Sequence, residues 1–226
     1  MLELLQKLAP NVANKLDELL ESTYQTLYML FISGFIAFTC GIILGVTLIV
    51  TKKGGILENK SVFNLLNVLI NLFRSIPFVI LLAALIPLSR LITGTAIGTT
   101  GALTPLVIGT IPFFSRQVES ALSSVDSGLV EAAQSMGTSN LGIIFRVYLK
   151  ESIPHIVRVT QITAISLIGL TAMAGAIGGG GLGDFAIRYG HQRGQIDVTY
   201  VTVLVILILV GIIQFVGNVI IKKTTH

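Results

Sequence analysis

A polar stretch of the chain reads Glu131-Ala-Ala-Gln-Ser-Met-Gly-Thr-Ser-Asn140 and continues to Pro154, with strongly apolar sequence on both sides. Asp126 or Ser127 can cap a helix just before it, because a side-chain oxygen accepts hydrogen bonds from the free N–H groups of a helix N-terminus. Gly137 predicts where that helix ends, since glycine adopts the left-handed conformation of a helix C-terminus without a steric penalty. The stretch therefore begins with a short helix.

A second short helix follows this glycine, capped by Thr138 or Ser139. Its apolar residues, Ile143, Ile144 and Val147, fall on one side. Two short helices joined at a glycine, between apolar segments, predict a compact knob that faces water. A loop that serves only solubility would give the same pattern, so spacing alone leaves the role of the knob open.

The composition is that of an integral membrane protein built as a single domain. Of the 226 residues, 53% are hydrophobic and 12% are charged, about half the charged fraction of a globular domain, and the mean hydropathy is +0.87. The net charge of +4 is explained by oriented membrane loops rather than by nucleic acid. Cys40 is the single cysteine, so no intrachain disulfide can form, and the scattered His155, His191 and His226 predict no metal site.

Five apolar stretches predict membrane spans, since roughly 20 apolar residues cross a bilayer as a helix. Four of them are clear, and one is weaker because prolines and glycines interrupt it. In chain order they are Tyr24–Val50, Ser61–Ile92, the weaker Ala96–Phe114, Ile153–Ile177 and Tyr200–Ile221. The sequence therefore predicts an all-α polytopic protein with five transmembrane helices.

The second stretch is longer than a straight crossing needs. Asn64, Asn67 and Asn71 recur in it at intervals of three and four, which puts them on one helical face. This first half of the stretch either lies along the membrane interface or turns its asparagine face toward a translocation path.

Lysine and arginine predict the orientation of the chain in the membrane. With five crossings, one side collects Lys52, Lys53, Lys60, Arg116, Arg146, Lys150, Lys222 and Lys223, and by the positive-inside rule that side is cytoplasmic. The N-terminus is then outside, and the C-terminus and the knob are inside. Residues 1–23 show no cleavable signal peptide and are predicted to be an extracytoplasmic segment, in which Leu16, Leu19 and Leu20 suggest a short amphipathic helix.

Glu131, Ala132, Ala133 and Gly137 stand at the spacing of the Glu-Ala-Ala loop of ABC importer permeases, which the chain resembles. In that family the loop docks into a cleft of a cytoplasmic ATPase. Later apolar positions of the motif fall on Val147 and Leu149, and a downstream proline on Pro154. One departure is Lys150, which stands where many members carry a proline.

Three further segments resemble the methionine-type branch of these permeases: Asn71–Phe78, Gly94–Gly98 and Ala172–Asp184. With the knob, they extend the resemblance over residues 24–221. The resemblance implies a type I importer permease fold for residues 24–221, a coupling loop at about 126–152 and a cytoplasmic tail at 222–226.

The resemblance also implies a function and a set of partners. The chain would be a transporter subunit in a bacterial inner membrane that imports methionine by alternating access, not an enzyme. Partners would be a second copy of the chain, two copies of an ABC ATPase that bind ATP and Mg, an extracytoplasmic methionine-binding protein and the lipid membrane, with no nucleic acid. The chain itself would hold no cofactor. Glu131, Ala132, Ala133, Met136 and Gly137 would contact the ATPase.

Two segments are candidates for the pathway or its gate. Asn71, Arg74 and Ser75 place a charge and polar groups in apolar sequence, where arginine must snorkel, pair or face a polar cavity; an interfacial anchor is the alternative. Met173 is the one large side chain in the Ala/Gly-rich run 172–184, where it either closes a pore or fills a gap in the core. The consecutive glycines predict an unwound segment lining a cavity, or close packing at a subunit interface.

Two other functions stay open from the sequence. A permease of the same class could carry another amino acid or small organic solute. An ion-coupled secondary transporter also uses glycine-broken helices, but that class usually needs acids within the membrane, and Glu119 falls near the end of a span.

Overall fold

The computed structural model describes residues 9–224, which are helical and contain no strand, as predicted for an all-α protein. The α-helices, in chain order, are α1 (Pro10–Ala13), α2 (Leu16–Thr51), α3 (Lys60–Ser75), α4 (Phe78–Ala84), α5 (Ile86–Thr93), α6 (Gly98–Leu122), α7 (Ser127–Ser135), α8 (Asn140–Ile143), α9 (Leu149–Glu151), α10 (Ile153–Ala174), α11 (Gly181–Phe185) and α12 (Ile196–Thr224). Three π-helical segments, Ile144–Tyr148, Gly175–Gly179 and Ala186–His191, connect some of them.

Three helical segments are long and apolar enough to cross a bilayer: Leu16–Thr51, Ile153–Gly179 and Ile196–Thr224. Two bent helix pairs, α3 with α4 (101°) and α5 with α6 (115°), meet the same length and composition requirement only when each pair is taken together. The five-span prediction is therefore confirmed when each broken pair is counted as one crossing.

The predicted second span needs correction, because residues 61–92 form three helices rather than one. Ile76 is extended (φ −83°, ψ 122°), as a residue before proline prefers to be, and α4 begins after Pro77. Pro87 lies in the first turn of α5, and Gly94 ends that helix in the left-handed conformation (φ 77°). Residues 78–93 thus form two short helices, one on each side of Leu85.

Two other predicted boundaries shift. The weak third stretch is a continuous 25-residue helix, α6, that runs through Pro105 and Pro112. The short N-terminal helix expected around Leu16 is not separate, because α2 runs without a break from Leu16 to Thr51. Residues 1–8 of the predicted N-terminal segment and residues 225–226 of the predicted tail lie outside the described part of the chain.

The chain divides into two compact units. One unit comprises the described residues 9–35, 77–108 and 164–213. Its cores include Met29, Leu106 and Leu167 in one cluster and Val12, Phe185 and Val198 in another. This unit contains the glycine-rich run.

The other unit comprises residues 36–76, 109–163 and the described part of 214–226. In it α2 and α6 touch closely, because a Cβ atom at Gly41 would lie 2.6 Å from Phe114, and one at Gly45 would lie 2.6 Å from Val118. Small residues four apart allow this approach between membrane helices. This unit contains the knob.

Candidate functional site

The knob spans α7 to α9, and its turns are fixed by capping residues. Asp126 rather than Ser127 caps α7, since its Oδ1 accepts a hydrogen bond from the Gly128 N–H at 2.8 Å. Gly137 has a φ of 73°, as predicted for the residue that ends this helix. Ser139 rather than Thr138 caps α8, and its Oγ accepts from the Gly142 N–H at 3.2 Å.

One side of the knob is anchored on the ends of two membrane helices. Val130, Ile143 and Ile144 are buried in a cluster with Ile49 of α2 and Leu122 of α6. Tyr148 lies in the same cluster, and burial raises the pKa of its hydroxyl, so the phenol stays neutral. Movement of the knob must therefore displace the ends of α2 and α6, because packed interiors deform little.

The opposite side of the knob is exposed and partly apolar. Glu131, Ala132 and Gly137 are exposed, and Met136 is 77% exposed. Ala133 differs from the other predicted contact residues. It is only 5% exposed and belongs to the cluster beneath the knob, so it offers almost no area to a partner and supports the surface from below.

Two exposed apolar residues of the knob were not among the contact residues predicted from the sequence. Leu141 is 67% exposed and Phe145 is 65% exposed. They stand four residues apart on the helical segment whose buried side carries Ile143 and Ile144. That spacing was the available signal, because positions i and i+4 share a helical face. Large apolar side chains exposed at a water-facing knob indicate a contact surface.

The asparagine face of α3 binds an arginine on α6. Arg116 donates through Nη2 to the Oδ1 atoms of Asn67 at 2.6 Å and Asn71 at 3.1 Å. Its Nη1 donates to Glu119 Oε2 at 2.6 Å. The planar guanidinium suits this arrangement, since it holds several donors in one fixed fork. The contact ties α3 to the helix that leads into the knob.

The residues predicted for a pathway fall in both units. Asn71, Arg74 and Ser75 lie in the last turns of α3, all exposed, and the Ser75 hydroxyl donates to the Asn71 carbonyl at 2.8 Å. Met173 lies near the end of α10 in the other unit and is 40% exposed. The structure brings Asn71 to Arg116, a partner that the sequence did not predict.

The glycine-rich run is unwound, as predicted. Helical geometry is lost at Ile177 (φ −114°, ψ 24°) and Gly178 (φ 94°, ψ 14°). The chain then folds back on itself so closely that a Cβ atom at Gly175 would lie 2.6 Å from the backbone N of Asp184. The small residues therefore serve packing within the chain here.

Side chains of α2 hold the start of α11 after this break. Gln25 Oε1 accepts from the Gly181 N–H at 2.7 Å, and Thr26 Oγ1 accepts from the Leu182 N–H at 2.8 Å. These bonds satisfy two backbone donors that a helix N-terminus leaves free.

An open cleft of about 490 Å³ lies against the break. Polar and charged side chains line it, among them Glu18, Glu21, Gln25, Asp184, Arg188 and Tyr189. A hydrogen bond to Glu18 and burial raise the pKa of Tyr189. The predicted cavity beside the unwound segment is therefore present and polar.

Comparison with known proteins gives one family and a set of similar chains. Residues 37–223 match the family described as binding-protein-dependent transport system inner membrane component. The probable D-methionine transport system permease protein MetI of Vibrio cholerae is 50% identical over 210 residues, 93% of each chain. The methionine import system permease protein MetP of Bacillus subtilis is 48% identical over 215 residues, 95% of this chain and 96% of that protein.

Solved structures give the same result for the fold. A chain of the MetNI methionine ABC transporter, in an inward-facing conformation, matches with a TM-score of 0.92 and 40% identity, over 94% of this chain and 99% of that one. A chain of an amino acid ABC transporter with histidines matches with a TM-score of 0.77 at 16% identity, which is a likeness of fold alone. The fold is that of a type I ABC importer permease.

Proposed function

The chain belongs to the family of binding-protein-dependent transport system inner membrane components, and on that premise we propose that it is the methionine-translocating permease subunit of an ATP-binding-cassette importer. The observation that carries this proposal is the 50% identity, over 93% of both chains, to a permease named for D-methionine transport. The 48% identity to a methionine import permease of Bacillus subtilis supports the same substrate.

The knob is the proposed coupling element. Its exposed side offers Met136, Leu141 and Phe145 to a partner, and its buried side packs on the ends of α2 and α6. Exposed apolar side chains beside a charged residue such as Glu131 suit a protein interface with an apolar centre and a polar rim. Two copies of an ABC ATPase would bind ATP and Mg, and their closure would move the knobs.

The pathway is proposed to form between two copies of this chain. The solved MetNI transporter to which the chain is similar supports an assembly of permease and ATPase subunits. Met173 is 40% exposed within its own chain, which leaves it available to a second copy. Asn71, Arg74 and Ser75 would face the polar path, and an extracytoplasmic binding protein would deliver methionine.

The N-terminus would lie outside and the C-terminus in the cytoplasm, in keeping with the lysines at the end of α12.

Uptake in cells tests the substrate. The chain is produced with its ATPase and binding protein in a bacterium that lacks its own methionine importers, and entry of radiolabelled methionine is measured. We expect uptake that unlabelled methionine suppresses and that a hundredfold excess of histidine, glutamine or cystine leaves unchanged. Strong suppression by another amino acid, with little by methionine, would assign the permease to a different substrate.

A further inference from the structure

A second cavity of about 490 Å³ lies beside α10 and α12, and none of its lining residues belongs to the glycine-rich run or to the knob. It is lined from α10 by Arg158 and Gln161, and from α12 by Phe215, Asn218, Val219, Ile221 and Lys222. Nothing in the proposed transport cycle uses these residues.

The two helices touch at one edge of this cavity. Gln161 Nε2 donates to the Gln214 carbonyl oxygen at 3.0 Å. The Gln161 side chain also lies against the buried Gly217, where a Cβ atom would overlap it. This contact fixes Arg158, one turn from Gln161, beside the last turns of α12, so the cavity has a defined polar end.

The polar end carries positive charge without a neutralising acid. Arg158 and Lys222 line the cavity, and none of the lining residues is acidic. Within residues 9–224 the two ion pairs are Arg116–Glu119 and Arg188–Asp184, so neither cation is paired there. The amide groups of Gln161 and Asn218 add hydrogen-bond donors, so the charge and the donors of this end suit an anion.

The remaining wall is apolar and faces outward. Phe215 is 71% exposed and Val219 is 37% exposed, on the membrane-spanning helix α12. Lys222 and Lys223 occupy the last turn of this helix, where a span ends at the membrane surface. A ligand that uses both ends of the cavity needs an anionic head at the membrane surface and a chain in the hydrocarbon region.

We propose that this cavity binds one anionic phospholipid. Its phosphate lies between Arg158 and Lys222, and one acyl chain lies along Phe215 and Val219. Basic pockets between membrane helices recognise such headgroups by charge. Inorganic phosphate shares the headgroup chemistry, but it would leave the apolar wall uncovered. The bound lipid would hold the start of α10 against the end of α12, and its binding does not depend on the transported substrate.

Native mass spectrometry of the purified permease–ATPase complex tests the proposal. The complex is equilibrated in mixed micelles with equal amounts of phosphatidylglycerol and phosphatidylcholine, and the lipids that remain bound are counted. Each cation near a membrane surface favours an anionic lipid by about fivefold, and two by roughly thirtyfold. We therefore expect selective retention of one phosphatidylglycerol for each permease chain, unchanged by excess inorganic phosphate.

Matched variants locate the site. Arg158→Gln with Lys222→Gln should abolish the selectivity, whereas Lys53→Gln with Lys223→Gln removes the same charge outside the cavity and should preserve it. Val219→Trp keeps both cations but fills the apolar wall, so it should also release the lipid. This third variant keeps the test decisive if the double charge variant assembles poorly.

Three results would overturn the proposal. They are equal retention of the two lipids by the unaltered complex, selectivity that survives both cavity variants, and displacement of the lipid by inorganic phosphate. The assay does not measure methionine, so its outcome is separate from that of the transport proposal.

Discussion

Gly137 carries the sharpest conformational requirement in the knob. Its φ of 73° lies in the left-handed region, and a Cβ atom there would meet nothing within 4 Å. A larger side chain is therefore opposed by backbone conformation and not by crowding. The strain for an L-residue in this conformation is about 1–2 kcal/mol.

Replacing Gly137 by valine should reorient the two helices of the knob and weaken coupling. If this strain weakens binding of the knob to the ATPase by about 1.4 kcal/mol, the binding constant falls about tenfold. Uptake should then also fall by about tenfold. Methionine uptake and membrane protein level are measured together. Gly194→Val is the control, because Gly194 has a φ of 67° and open space around it but lies outside the knob, just before α12. Normal uptake by a fully inserted Gly137→Val protein would contradict the coupling role of the knob.

Met173 gives the second prediction at this scale. It is 40% exposed, so Met173→Ala removes less of the chain's own packing than the 2–5 kcal/mol typical of a buried methionine. If two Met173 side chains close the path across a twofold axis, truncation should leave the protein level unchanged. Efflux of methionine without ATP should rise. A Met173→Ala protein that is scarce but fully coupled would assign this side chain to packing.

At the scale of helices, the contact between α3 and α6 is the feature with the clearest consequence. Arg116 reaches two asparagine side chains at once through Nη2. Arg116→Lys keeps the charge and the partner Glu119 but cannot reproduce the fork of donors. Hydrogen bonds of a charged group contribute about 1.5–3 kcal/mol each.

We therefore expect the amide hydrogens of α3 to exchange at least about tenfold faster in Arg116→Lys, because local opening becomes easier. Hydrogen exchange with mass spectrometry measures this directly. Arg74→Lys is the matched control, since Arg74 lies on α3, is exposed and makes no comparable contact in the described chain. Unchanged exchange in Arg116→Lys would mean that the asparagine contacts do not hold α3 in place.

The helices also show what the sequence could predict and what it could not. Local chemistry was sufficient for the caps of the knob and for the break at Gly178, because each depends on a side chain or a φ angle within a few residues. The bends of 101° between α3 and α4 and of 115° between α5 and α6 were missed, because hydropathy averages over a window and does not record a change of direction. Arg116 and Asn67 are 49 residues apart in sequence, and the buried position of Ala133 depends on α2 and α6. These features require tertiary contacts, which no local pattern contains.

For the whole molecule, the proposed orientation is testable by cysteine labelling in a Cys40→Ala background. Lys53 and Gln192 are exposed positions on connections that the positive-inside rule assigns to opposite sides. The neighbouring Gly55 and Gly190 are not suitable positions for a cysteine, because a Cβ atom at either would overlap neighbouring atoms. A membrane-impermeant maleimide should label Gln192→Cys in intact cells and Lys53→Cys only after lysis. Labelling of both in intact cells would overturn the five-span orientation.

The central claim is that ATP hydrolysis by a partner drives methionine through this chain. The most direct measurement is uptake of labelled methionine into liposomes that contain the purified permease and ATPase, with the binding protein and methionine supplied on one side. The account predicts that methionine accumulates only with ATP and the ATPase on the opposite side, and that an imposed proton or sodium gradient does not replace ATP. Accumulation driven by an ion gradient in liposomes that hold the permease alone would contradict it.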